Sequence, residues 1–204
     1  MTHPQPQLIS ARLEKFHPTQ ISVGKREVAL KRQQWQALGK KARLEALASH
    51  WFPAIAGPGD RYYIVDHHHF GLALIEEEIK MASVVVLKDL SWLEPSKFWS
   101  VMDFHQWVHP YDSSGMRRTF DAVPVRLSRL CDDPYRSLAG QLRSSGGFAK
   151  DATPYSEFLW ADFFRDQIDV TLIEQEFERA LQTAKKMAQS QAARYLPGWC
   201  GVIE

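Results

Sequence analysis

The sequence predicts an α+β (mixed α/β) fold, with a small mixed sheet and surrounding helices in the first half and a helical C-terminal region. Short apolar runs bounded by turn residues alternate with longer helical segments in the first half. The turn Gly57-Pro58-Gly59-Asp60 joins two of these runs, which indicates a hairpin. Beyond residue 88 the patterns predict only helices and loops.

The first half of the chain contains four predicted strands and three predicted helices. The strands are short, apolar and partly β-branched, and they cover residues 8–13, 53–55, 62–65 and 83–87. The helices carry apolar residues near helical spacing, and they cover residues 23–36, 40–50 and about 71–80. His17-Pro18-Thr19-Gln20 is predicted to be a turn.

Helix start signals organise the second half. Pro95 begins a predicted helix that runs to about residue 107, and Asp133-Pro134 supplies the N-cap and first turn of another that runs to about residue 143. An aromatic helix over residues 154–167 is predicted to face the core. Thr171 and Glu174 have the spacing of a capping box for a last helix to about residue 194.

A run of small and polar residues, Ser144-Ser145-Gly146-Gly147, breaks the helical pattern in the second half. We expect one domain over residues 1–145, with residues 146–204 forming a helical extension packed on it.

Composition and charge exclude several functional classes. With 45% hydrophobic residues and seven tryptophans among 204 residues, the chain is not disordered. A formal net charge of +1 gives no global attraction to nucleic acid, so binding of nucleic acid would need a local basic patch. Two cysteines form no disulfide framework, and no apolar run reaches the roughly 20 residues that span a bilayer. The N-terminus also lacks a signal-peptide pattern, so we expect a soluble, cytoplasmic protein without a membrane partner.

The richest chemistry lies at Asp66-His67-His68-His69, between a predicted strand and a predicted helix. Backbone N–H groups at a helix start have no partner within the helix, and they favour an anion. Asp66 is either a general base, a metal ligand or the helix N-cap, and the histidines are acids, bases, phosphate donors, metal ligands or structural residues. The turn is therefore a candidate site for holding phosphate and moving protons.

Two short sequence boxes in this order resemble the ParB/sulfiredoxin superfamily, and most closely its ParB-like nuclease group. The first box is Pro18-Thr19-Gln20 followed by residues 23–28, and the second is the strand that ends in residues 66–69. The resemblance covers about residues 8–125. It implies a small mixed sheet with helices, and a nucleotide or phosphate site at the strand-to-helix turn.

The resemblance favours His68 and His69 as catalytic candidates and Gln20 as a ligand contact. The chemistry of the residues adds Asp66 as a catalytic candidate and His67 as a phosphate contact. His67 stands where relatives usually have a glycine, and Phe70 where they have an arginine, so the expected bidentate phosphate clamp is missing. Further basic residues are candidates to replace that clamp: Lys31, Arg61, Arg117 and Arg118.

A divalent metal (magnesium, manganese or zinc) is an open alternative, with Asp66, His67 and His69 as the ligands. Three functions stay open from the sequence. The first is a nuclease or another enzyme that hydrolyses or transfers a phosphoryl group; its partner would be a nucleotide or another phosphate-bearing small molecule. The second is a nucleotide-binding switch of the CTP type that does not turn over. The third is a protein-interaction module on the same fold.

Overall fold

The computed structural model describes residues 7–201, and its centre is a curled five-stranded sheet. The strands are β1 (Gln7–Arg12), β2 (Phe16–His17), β4 (Trp51–Gly57), β5 (Arg61–Ile64) and β6 (Met81–Asp89), in the spatial order β1-β6-β4-β5-β2. Two pairs of neighbouring strands are antiparallel, β1 with β6 and β4 with β5. The other two pairs are parallel, β6 with β4 and β5 with β2. The predicted hairpin is therefore confirmed as the β4–β5 pair.

A second sheet contains two short parallel strands, β3 (Ser22–Val23) and β7 (Cys131–Asp132). The prediction that no strand follows residue 88 was therefore wrong, since β7 lies at residues 131–132. A two-residue strand has no periodicity of its own, and β7 forms because it meets a partner more than 100 residues earlier in the chain.

Eight α-helices surround the sheets within the described residues, and most lie close to their predicted positions. Their bounds are α1 (Lys25–Ala37), α2 (Lys40–Ser49), α3 (His68–Glu76), α4 (Pro95–Phe104), α5 (Pro134–Ser144), α6 (Ser156–Arg165), α7 (Val170–Gln175) and α8 (Phe177–Ala188).

The capping box predicted from Thr171 and Glu174 was wrong. Asp169 caps α7 instead, because its carboxylate accepts a hydrogen bond from the backbone N–H of Thr171 at 2.7 Å. Glu176 then adopts a non-helical conformation (φ −131°, ψ 55°), which separates α7 from α8. The single last helix of the prediction is therefore two helices.

Three groups of buried apolar side chains hold these elements together. One face of the main sheet packs around Phe52 and Ile64, and the other face packs around Ile55 and Phe98. The third group lies among α5 to α8, with Trp160 at its centre. The four aromatic residues of α6 are all buried, as predicted, whereas Leu159 of the same helix is 42% exposed.

α5 belongs to the third group through Leu138 and Leu142, so this helix packs with the elements that follow residue 145. It also contacts α1. α5 thus connects the sheet-containing part of the chain to the helical part, and it carries side chains to the boundary between them.

Candidate functional site

The turn between β5 and α3 has a left-handed residue at its centre. His67 has φ 65° and ψ 24°, a conformation that suits glycine better than any residue with a Cβ atom. The carboxylate of Asp66 accepts a hydrogen bond from the backbone N–H of His67 at 2.6 Å, and no side chain caps α3. The first N–H groups of α3 therefore have no side-chain acceptor, which makes this helix start receptive to an anion.

His68 and His69 connect this turn to the first sequence box. The Nε2 atom of His68 accepts a hydrogen bond from the backbone N–H of Thr19, and Nε2 of His69 accepts one from Gly24, each at 3.0 Å. Both residues are buried, with exposed fractions of 3% for His68 and 7% for His69. The two boxes that carry the family resemblance are thus joined through two histidine side chains.

Burial keeps both imidazoles neutral. It lowers the pKa of His68 to about 3, and it lowers the pKa of His69 well below the usual value, with a further contribution from Arg136. Oε2 of Glu27 lies 3.6 Å from Nε2 of His69. That nitrogen already accepts the Gly24 N–H, so the contact with Glu27 is not an ion pair.

Asp66, His68 and His69 line a cleft of about 340 Å³ between the sheet and the helical part of the chain. Gln20 lies on the same wall, and its side-chain amide donates to the carbonyl oxygen of Ser22 at 2.6 Å. The opposite wall consists of side chains from α5, from residues 150–155 and from the start of α6. The structure therefore brings four of the predicted site residues together in one cleft.

Arg136 of α5 supplies a guanidinium group to this cleft. The residue is 7% exposed, and it forms an ion pair with Glu157. Its Nε and Nη1 atoms are buried without a hydrogen-bond partner in the described part of the chain, although Oε2 of Glu27 approaches Nη1 to 3.8 Å. A buried guanidinium with free donors is a strong candidate contact for an oxyanion.

The start of α5 holds Arg136 in position. Asp133 is the N-cap, and its carboxylate accepts hydrogen bonds from the backbone N–H groups of Tyr135 and Arg136. The same carboxylate accepts from Arg165 at 2.7 Å. The backbone N–H of Asp133 donates to the carbonyl oxygen of Val23 at 2.8 Å, which ties α5 to the first sequence box.

A second guanidinium, that of Arg143 in the last turn of α5, also lines the cleft and pairs with Glu157. Glu157 is 7% exposed and lies in the first turn of α6. Its two oxygens contact the two arginines separately, Oε2 with Arg136 and Oε1 with Arg143. One carboxylate thus bridges two guanidinium groups, which is also how a phosphate group binds to paired arginines.

Aromatic side chains form another part of the cleft wall. Trp107, Tyr155 and Phe158 line it, and the ring of Tyr155 stacks on His109 at 4.6 Å. Tyr155 has φ 58°, and its hydroxyl is buried without a hydrogen-bond partner in the described region. A strained residue with an unused polar group marks this wall as a candidate ligand contact.

The remaining predicted site residues lie elsewhere. His67 packs its ring against His50 at 4.4 Å, and Lys31 pairs with Glu27 at 3.5 Å. The other three are exposed arginines outside the cleft: Arg61 lines a separate pocket, Arg117 pairs with Asp103 at 2.8 Å, and Arg118 pairs with Asp112 at 2.5 Å.

The metal alternative does not fit the donor set. Within residues 7–201 no three histidine, cysteine, aspartate or glutamate residues are arranged to hold a metal ion. His67 and His69 contact different parts of the chain, so the sequence-predicted ligands Asp66, His67 and His69 do not form a site.

Among residues 7–201, no helix combines the length and the apolar character that a membrane crossing requires.

Sequence reasoning missed Arg136, Arg143 and Glu157. The N-cap and start of α5 were predicted correctly, so the helix that carries both arginines was known. Nothing in the local pattern distinguishes these arginines from solvent-exposed ones, because their burial depends on α6. Phe70, in the place where relatives have an arginine, packs against His50 and Phe52.

Comparisons with other proteins agree with the predicted fold. Residues 9–166 match the family described as "Putative ParB-like nuclease". The crystal structure of protein Atu1540 from Agrobacterium tumefaciens superimposes with a TM-score of 0.91 at 45% sequence identity, over 98% of this chain and 100% of that one. No curated protein matches the chain. The predicted fold class and the family resemblance are both confirmed.

Proposed function

Since the chain belongs to the ParB-like nuclease family, we propose that it handles phosphoryl groups and binds a nucleotide or another phosphate ester in the cleft beside Asp66. The observation that carries this proposal is Arg136, a buried guanidinium whose Nε and Nη1 atoms have no hydrogen-bond partner among the described residues. Arg136 offers a phosphate group the guanidinium that relatives supply from the position of Phe70, but it does so from α5.

The cleft offers two sources of positive potential for a phosphate group. Arg136 and Arg143 present guanidinium groups from one side, and the uncapped start of α3 presents backbone N–H groups from the turn. Glu157 holds the arginines when no ligand is bound, so a phosphate group would compete with its carboxylate. Trp107 and Tyr155 offer ring surface for a nucleobase.

Asp66 is the candidate general base for this chemistry. It is exposed at the cleft, and one of its oxygens already binds the N–H of His67, which fixes the direction of the carboxylate. A carboxylate in this position can accept a proton from an attacking water. His68 and His69 remain catalytic candidates from the sequence, but their contacts suit a second role, that of holding the turn against Thr19 and Gly24.

A specific observation favours the second candidate function, nucleotide binding without turnover. Both buried histidines are neutral, and each uses Nε2 to accept a backbone N–H. Neither is then free at that atom to protonate a leaving group. A site that binds phosphate but lacks an acid would act as a nucleotide-dependent switch.

Binding and turnover can be separated with two variants of the cleft. Arg143→Gln removes a guanidinium whose side chain is 35% exposed, and Asp66→Asn changes an exposed carboxylate, so both proteins should fold. Arg194→Gln, an exposed arginine of the C-terminal region, is the matched control. Each protein is titrated calorimetrically with CTP, ATP, GTP and short single-stranded DNA, with and without magnesium, manganese or zinc, and hydrolysis is followed in parallel.

We expect at least one phosphate ligand to bind, and Arg143→Gln to weaken it by about 10- to 100-fold, the effect of one charged hydrogen bond. Turnover that disappears in Asp66→Asn while binding persists would support the enzyme. Binding without turnover in every protein would support the switch. No binding of any of these ligands, or equal binding by Arg143→Gln, would refute the proposed site.

A further inference from the structure

We infer that the protein has a second ligand site, a pocket beside β5 that binds a small planar aromatic anion. The pocket has a volume of about 540 Å³ and shares no lining residue with the cleft. This volume lies within the range of small-molecule sites, roughly 300–1,000 Å³. The inference does not depend on the proposed phosphate chemistry.

The walls of the pocket are aromatic rings that are already packed in place. The ring centroid of Tyr63 lies 4.5 Å from that of Phe98 and 5.4 Å from that of Trp99. Trp99 stacks in turn on Phe120 at 5.8 Å, with 11° between the ring planes. Rings held by one another lose little conformational freedom when a ligand binds, so the pocket is preorganised for a flat apolar body.

Proline residues add to this rigidity. Pro18, Pro58, Pro95 and Pro124 come from four different segments, and all four line the pocket. Each has a fixed φ and no backbone N–H to satisfy, so the pocket rim can be apolar without leaving a donor unpaired.

His17 is the buried polar group of this pocket. It is 8% exposed, lines the pocket and packs on Tyr63 at 5.4 Å. Its ring forms no hydrogen bond with the part of the chain that the structure describes. Burial lowers the pKa of His17 to about 4, with Arg61 and Arg126 acting in the same direction. The imidazole is therefore neutral at pH 7 and can donate a hydrogen bond to a ligand.

One arginine gives the pocket its preference for an anion. Arg61 lines the pocket, and it forms no ion pair with any residue between 7 and 201. The pocket is lined by a single carboxylate, that of Asp121. An anionic group at the Arg61 side, with an aromatic body against Tyr63 and Trp99, would satisfy both features of the pocket.

The test uses 1-naphthoate as the probe and its neutral analogue 1-naphthamide, each titrated into the 204-residue protein by calorimetry. Arg61→Gln removes the rim cation, and Val125→Trp fills the pocket from a residue that is 62% exposed, so neither change should unfold the protein. Arg194→Gln is the control for the loss of an exposed arginine. Arg143→Gln reports whether the probe binds in the cleft instead.

We expect saturable binding of 1-naphthoate to the unmodified protein, weakened about tenfold in Arg61→Gln and abolished in Val125→Trp. Binding should be unchanged in Arg194→Gln and Arg143→Gln, and 1-naphthamide should bind about tenfold more weakly than 1-naphthoate. The inference is overturned by the absence of saturable binding, by equal binding of the two probes, by binding that survives Val125→Trp, or by binding that is lost in Arg143→Gln.

Discussion

Glu157→Gln should have opposite effects on stability and on phosphate binding. The substitution preserves the shape of the side chain and removes the negative charge that lies between Arg136 and Arg143. The folded protein then contains two guanidinium groups without their shared counter-charge, one of them buried. The same two groups become available to a bound anion.

The magnitude follows from the burial of the three side chains. Glu157 and Arg136 have side-chain exposures of 9% and 8%, whereas Arg143 is 35% exposed and largely screened by water. Breaking one buried pair costs about 3–5 kcal/mol. In a chain of this size each kcal/mol corresponds to roughly 2–4 °C, so we expect the melting temperature to fall by about 10 °C. Added phosphate should restore part of this loss, because an anion that binds only the folded state stabilises it.

The assay is thermal unfolding with and without inorganic phosphate, combined with calorimetric titration. Glu174→Gln changes an exposed glutamate and should alter the free energy of unfolding by less than about 0.5 kcal/mol. Glu157→Gln/Arg136→Met removes both partners of the buried pair and should recover much of the lost stability. An unchanged melting temperature in Glu157→Gln, or a loss that phosphate does not reduce, would refute the reasoning about this carboxylate.

Two further predictions concern the histidine turn. His67→Gly and His67→Ala both remove the imidazole, but only glycine adopts the left-handed backbone at φ 65° without strain. The glycine variant should therefore be more stable than the alanine variant by about 1 kcal/mol in urea unfolding. Equal stabilities of the two variants would show that the turn relaxes around alanine. The second prediction concerns pH. The pKa of His68 is about 3 in the folded protein and about 6.5 in the unfolded chain. The contribution of the neutral His68 to the free energy of unfolding is therefore fully present above pH 6.5 and is lost as the pH falls toward 3. His68 should contribute about 1.4 kcal/mol of that loss per pH unit. His68→Gln, which retains an acceptor for the Thr19 N–H, should therefore show a shallower decline in urea unfolding between pH 7 and pH 4. Identical slopes for the two proteins would contradict the assignment of a buried neutral imidazole.

Local sequence determined most of the secondary structure and one wall of the candidate site. The hairpin turn at residues 57–60, the cap at Asp133 and the helical spacing of α1 and α2 all depend on residues close together in the chain. The turn from β5 into α3 is predicted by the same kind of local pattern, and its residues Asp66, His68 and His69 all line the cleft.

The contacts of these residues could not be predicted in the same way. Whether His68 is a proton shuttle or an acceptor for Thr19 depends on which segment lies against it, and that segment is 49 residues away. The split between α7 and α8 and the pairing of β3 with β7 also depend on partners outside the local pattern.

The sequence by itself determined the fold class, the family and the place of the histidine turn, because short-range patterns and two ordered sequence boxes encode them. Only the tertiary structure decided which cations face that turn. Lys31, Arg61, Arg117 and Arg118 lie outside the cleft, whereas Arg136 and Arg143 line it. The physical reason is that a cation's role depends on its burial and on its counter-charge. For these two arginines the counter-charge is Glu157 of α6, which meets α5 because the two helices pack against each other in the helical part of the chain.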